Sequence, residues 1–205
     1  MMMMTITAVP AQSTVSTWRL EPTRRNIEPN GLWEELCYIV HPSATATALL
    51  ALNAQAKIAG PNGERVVPFD NYFIGPREDV LKENILMANE IMVEVFIPAP
   101  APGMKQTWMK LKDRQVYDFA VVSVAAAFTM EGETWKDGRI VLGGVAPVPY
   151  RATPIENQIK GKNVKTGIKQ AAAIVRTVAR PMSMNAFKVD IAQSLVERTI
   201  LQALA

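Results

Sequence analysis

Along residues 91–97 (IMVEVFI) the β-branched residues fall on alternate positions, which predicts a strand. Upstream, Pro42 and Ser43 precede an alanine-rich run. Ser43 can accept a bond from an orphan backbone N–H, so a helix is predicted over 44–54. Residues 56–59 and 65–68 then read as two short strands joined by Pro61-Asn62-Gly63, and 70–74 as one further turn. The stretch PAPAPG (98–103) holds too many prolines for a helix or a central strand and marks a boundary. Three strands are predicted after it, over 106–112, 120–129 and 138–143, the last two forming a hairpin around EGETWKDG. Two helices are predicted to close the chain. Residues 164–179 place Ile168, Ala171, Ala172, Val175 and Val178 at helical spacing, and 186–204 carry an apolar stripe from Phe187 to Leu204. A lone hairpin is unstable, so the helices should cover one face of an antiparallel sheet, an α+β layout.

Composition narrows the chemistry. The 205 residues are 49% hydrophobic, 20% charged and carry a net charge of +3. No window approaches the ~18 apolar residues of a membrane span. The basic residues are spread along the chain rather than gathered on one element, so the charge is read as a solvated face and not as a nucleic-acid footprint. One cysteine (Cys37) and one histidine (His41) leave no internal disulfide, no Cys/His zinc site and no cysteine framework for an iron–sulfur cluster in this chain. A reducing cytosol fits. Residues 1–34, polar and without a sustained period, read as a poorly ordered leader with no signal-peptide pattern. No nucleophile elbow or Walker loop occurs, and neither catalytic nor metal-binding residues are assigned. Taken alone, His41 reads as a structural or exposed histidine.

Five stretches in order carry a resemblance. They are His41-Pro42-Ser43, Gly75-Pro76-Arg77, KLKDRQVYDFAVVSVAAA (110–127), RIVLGGVAPVPYRA (139–152) and NAFKVDIAQSLVERTIL (185–201). Together they resemble the FAD-binding (medium) subunit of molybdenum hydroxylases, of the xanthine dehydrogenase and carbon monoxide dehydrogenase flavoprotein type. The resemblance implies the C-terminal part of a vanillyl-alcohol-oxidase-type FAD domain over 35–100, then an α+β domain over 101–205 with a three-stranded antiparallel sheet and helices. It also implies FAD as cofactor, iron–sulfur and molybdopterin centres on partner chains, and electrons leaving to NAD or another acceptor, in the cytoplasm. A homodimer is a further expectation. The apolar faces of 38–74 and 91–97 would drive association if left uncovered.

The resemblance also implies site residues. Lys110 matches a lysine near the isoalloxazine, where a cation offsets the negative charge that reduction places on the ring. Asp118 ends the loop bordering the acceptor's approach and could accept a backbone or flavin N–H. Arg77 could hold a phosphate or carboxylate, and Ser43 belongs to the His-Pro-Ser motif. Without the resemblance, Lys110 is a surface strand lysine, Asp118 a turn aspartate and Arg77 a member of a surface ion pair. The turn Gly143-Gly144 is expected to serve chain direction and domain packing rather than flavin contact.

Two departures favour an alternative. The fourth position of His-Pro-Ser-Asp is Ala44 here. No glycine-rich loop able to give backbone N–H groups to the pyrophosphate is found, so the N-terminal FAD lobe is expected to be missing and FAD binding to need help. The alternative is a non-catalytic subunit-docking module that has lost FAD.

Overall fold

The computed structural model describes residues 39–182 and 184–205. The expected leader over 1–34 lies outside them.

The first part follows the predicted order. Helix α1 (Ala44–Ala51) is capped by Ser43, whose Oγ accepts from the Ala46 N–H at 3.1 Å. Strands β1 (Gln55–Gly60), β2 (Gly63–Pro68) and β3 (Ile91–Phe96) form an antiparallel sheet of order β2-β1-β3, and a 3-10 turn (Phe69–Asn71) follows β2. Residues 73–85 fold back on themselves through an isolated bridge from Phe73 to Asn84.

The second part is built on β4 (Lys105–Leu111), β5 (Val122–Glu131), β6 (Thr134–Gly143) and the two-residue edge strand β7 (Tyr150–Arg151), antiparallel in that order. The β5–β6 hairpin differs from the expectation. Its turn is only Gly132-Glu133, and most of EGETWKDG is strand. A register shift at Thr129/Met130 absorbs the extra residue and places Trp135 stacked on Phe128, 4.4 Å between ring centroids. The helical region also differs. The predicted helix over 164–179 is split into α3 (Val164–Ala172) and α4 (Val175–Val178), and α2 (Thr153–Ile159) precedes it unforeseen. Helix α5 (Phe187–Gln202) lies where expected.

Strand β5 explains the layering. Residues 122–128 are all buried, as a strand covered on both faces must be. The alternation is one of size, not polarity. Val122, Val124 and Phe128, with Ile140 and Leu142 of β6, join the core made with α2, α3 and α5. Ala125 and Val141 point the other way, into a core with Leu49, Leu50, Ile58, Phe69 and Val95 of the first part.

The two parts are also tied by charge. Arg139 of β6 reaches the Leu50 carbonyl at 3.2 Å, Asn53 Oδ1 at 2.6 Å and Asp70 at 2.7 Å. Arg151 lies 3.7 Å from the same Asp70. It also donates to Glu156, a buried carboxylate that accepts from the Ile140 N–H at 2.8 Å.

The Gly143-Gly144 turn serves two purposes. Gly144 has φ +75°, a conformation other residues rarely adopt. Gly143 is needed for space. A Cβ there would lie 2.4 Å from Thr47 Oγ1 and 2.5 Å from Ser123 Oγ. Gly143→Ala should therefore destabilise the chain by about 1–3 kcal/mol, the usual cost of overpacking. Urea denaturation is expected to show a lower midpoint with an unchanged m-value.

Candidate flavin-side site

Cross-strand partners point to the same face of a sheet. The register pairs Lys110 with Ser123 and Ser123 with Gly143, while Trp108 pairs with Ala125 and Ala125 with Val141. Lys110 and Trp108 thus stand on the face that carries α1, at its outer edge. Between Trp108 and the helix lies an open depression of about 320 Å³ lined by Ala44, Thr45, Ala48 and Trp108.

Lys110 is half-buried, and its Nζ donates to the Asp118 carbonyl at 2.9 Å. The same ammonium lies 5.8 Å from the Trp108 ring centroid and 6.0 Å from that of Tyr117, within cation–π range of both. A fixed cation beside an apolar, aromatic wall is the result.

The loop after β4 organises itself. The Asp118 carboxylate accepts from Arg114 Nε at 2.9 Å, from Arg114 Nη2 at 3.0 Å and from the Phe119 N–H at 2.9 Å. The Arg114 guanidinium, helped by that backbone bond, holds the Asp118 carboxyl at about 2. Lys112 closes the loop by donating to the Val116 carbonyl at 2.9 Å. Its tip, Tyr117, is 99% exposed. Asp118 therefore contributes its carbonyl to Lys110 and its carboxylate to its own loop.

The other two residues sit apart. Ser43 caps α1 beside the depression. Arg77 is exposed at the tip of the 73–85 fold. Sequence reasoning passed over Trp108 and Tyr117, which flank Lys110, and Ser123, a fully buried hydroxyl with no hydrogen-bond partner among the described residues. Trp108 lies two residues before Lys110, the spacing that puts strand residues on one face, and this was the signal available.

His41 is structural. Its backbone N–H donates to the Ala146 carbonyl at 2.8 Å, joining the motif to the Gly-Gly turn. Its ring meets Phe73 edge-on at 5.0 Å between centroids, and neither ring nitrogen has a partner among the described residues. Burial pushes the imidazole below its ordinary value of 6.5.

Among the described residues no group of three or more His, Cys, Asp or Glu could hold a metal, and no helix is long and apolar enough to cross a membrane. Two antiparallel sheets are joined through a small-residue face, with Lys110, Trp108 and Tyr117 at its edge. Residues 35–100 match the family described as FAD binding domain in molybdopterin dehydrogenase, and residues 107–203 match the CO dehydrogenase flavoprotein C-terminal domain. The chain belongs to the FAD-binding subunit family of xanthine and carbon monoxide dehydrogenases. It is 31% identical over 175 residues to the aldehyde oxidoreductase FAD-binding subunit PaoB of Escherichia coli (strain K12), covering 83% of this chain and 51% of that protein. It is 37% identical over 134 residues to the carbon monoxide dehydrogenase medium chain of Hydrogenophaga pseudoflava, covering 65% and 45%. A solved carbon monoxide dehydrogenase from Hydrogenophaga pseudoflava, lacking the Mo-pyranopterin moiety, superposes with a TM-score of 0.68 at 32% identity, over 77% of this chain and 55% of that one. The chain spans about half the length of these relatives.

With one histidine in the chain, stability between about pH 6.5 and 5 isolates His41. The unfolded chain binds the proton more tightly than the folded one. The contribution is complete above the ordinary value and declines as pH falls from 6.5 toward the lower folded value. Denaturant titrations should show this decline in the wild type and a flat response over that window in His41→Phe.

Proposed function

We propose that this chain forms part of the FAD-binding subunit of a molybdenum-containing hydroxylase or dehydrogenase. In that role it takes electrons from iron–sulfur clusters on a partner chain and passes them through FAD to NAD or another acceptor. The molybdopterin partner carries the substrate chemistry, and the complex works in the cytoplasm. FAD, when bound, supplies a carrier that accepts two electrons and releases them singly or in pairs. Residues 35–100 and 101–205 act as the two functional portions, one from each side of the depression.

The observation that carries this reading is the Lys110 ammonium held between Trp108 and Tyr117 beside the depression under α1. The chemistry fits an isoalloxazine, a flat and largely apolar ring with a polar edge. The Trp108 face and the Ala44, Thr45 and Ala48 wall suit the ring. Lys110 suits the edge that gains negative charge, and its bond to the Asp118 carbonyl pre-orients it. Ser43 sets the helix entry beside the ring, and Arg77 is assigned to a phosphate or carboxylate of the cofactor or acceptor. Asp118 keeps the loop closed.

A second reading rests on Ala44. Its methyl lines the depression where the family motif has an aspartate, which removes an acceptor for the cofactor's hydroxyls. On this reading the chain docks partner subunits, or a second copy of itself, and holds no flavin. The exposed Val66, Ile91 and Val93 of the first sheet favour association of either kind.

The test is reconstitution with FAD, alone and with co-expressed iron–sulfur and molybdopterin subunits, read by the visible flavin band. Retained flavin is expected with the partners. Lys110→Met should weaken FAD about tenfold, the loss of one charge-assisted contact, and lower the flavin potential. Absence of flavin under both conditions overturns the reading, and flavin gained only by Ala44→Asp establishes the second.

A further inference from the structure

Lys188 stands in the first turn of α5, far in sequence from the loop that holds Lys110. Its aliphatic stem is half-buried, and its Nζ donates to the Gly144 carbonyl at 3.1 Å. Burial lowers the readiness of this ammonium to hold its proton, while the charge of Asp113, in the loop after β4, raises it. A lysine commonly lays its stem along apolar surface and keeps its ammonium in water or on a polar partner. Here the hydrogen-bond partner is the Gly144 carbonyl.

Gly144 transmits the contact. Its φ is +75°, and a Cβ on it would lie 3.0 Å from the carbonyls of both Ala120 and Val121. The turn is thus packed directly on the segment that follows Asp118 and Phe119. On the other side, the Val121 N–H donates to the Leu111 carbonyl at 2.9 Å, closing the base of the loop. The sequence of contacts runs from α5 through the Gly144 carbonyl to 120–121, and from there to the loop whose Asp118 carbonyl fixes Lys110.

We propose that Lys188 is a positioning residue for the flavin-side loop. Its ammonium pins the Gly-Gly turn, and the turn backs residues 120–121, so that residues 112–121 hold Lys110 in a single place. It does not touch the cofactor. The functional half of this inference rests on the flavin reading above, and the mechanical half does not.

Hydrogen exchange on the full purified chain tests the mechanical half. Lys188→Met keeps the stem and removes the charge. Backbone protection over 110–121 should fall about tenfold, while that over 55–68 stays at the wild-type level. Lys188→Arg, which retains the cation, should restore most of the protection. If Lys188→Met does not fold, Lys188→Gln is read the same way. Unchanged exchange at 110–121, or a loss spread equally over 55–68, overturns the proposal. In chain loaded with FAD, Lys188→Met should also lower the flavin potential, with recovery in Lys188→Arg, and an unmoved potential removes the functional half. Should the wild-type chain and its complexes take up no FAD, the flavin reading fails while the exchange result still decides whether Lys188 positions the loop.

Discussion

The structure depends on how closely α1 approaches the middle of the four-stranded sheet. Side chains normally fill the gap between a helix and the sheet it covers. Here the opposing face is made of Ser123, Ala125, Val141 and Gly143, and the helix answers with an alanine-rich sequence and Thr47. The sheet's other face carries Val122, Val124, Phe128, Ile140 and Leu142. One sheet thus has a thin side and a thick side. The thick side makes a core with α2, α3 and α5, and the thin side brings the first part of the chain close enough for Arg139 to reach past the end of α1 to Asn53 and Asp70.

That proximity forms the candidate site. Lys110 and Trp108 lie on the thin face, where β4 extends beyond the cover of α1. Had the face been built of large residues, the helix would stand away and no sheltered wall would border the lysine. The loop beside it spends its charges internally, Arg114 on Asp118 and Lys112 on a carbonyl, which leaves the Tyr117 ring as its outward feature. These internal bonds set the local shape of the loop, while its base is packed on the Gly-Gly turn. Lys110 is held by the loop, and the loop is held at its base by the sheet.

Most elements could be read from the chain, and the misses have physical causes. The Ser43 cap, β1 and β3, β4, and the stripe of α5 each carried a strong local signal. Helix α2 did not. Its residues TPIENQI hold only two apolar side chains, and its place is fixed by Glu156, which accepts a sheet N–H that no sequence period reveals. The break after Ala172 interrupts a stripe whose spacing continues through Val175, so periodicity alone ran the two helices together. In the hairpin, a buried Trp135 amid charged neighbours looked like loop because its partners, Phe128 and the 161–162 turn, are distant in sequence. For the site, the motif residues were visible, but Ser123 and Lys188 were not. Their roles come from cross-strand register and from a helix that returns to the sheet some 40 residues later.

The shared Asp70 carries a consequence for how such a protein can change over generations. Two guanidinium groups from the second part converge on one carboxylate of the first, and a serine, a threonine and a glycine meet without a spare methyl between them. A larger side chain at Gly143 can be accepted only if Thr47 or Ser123 shrinks, and loss of Arg139 leaves Asn53 and Asp70 without their cross-part donor. The segments around 47–70 and 123–151 are therefore bound to vary as a pair. A chimera that takes one of them from a relative must take the other as well.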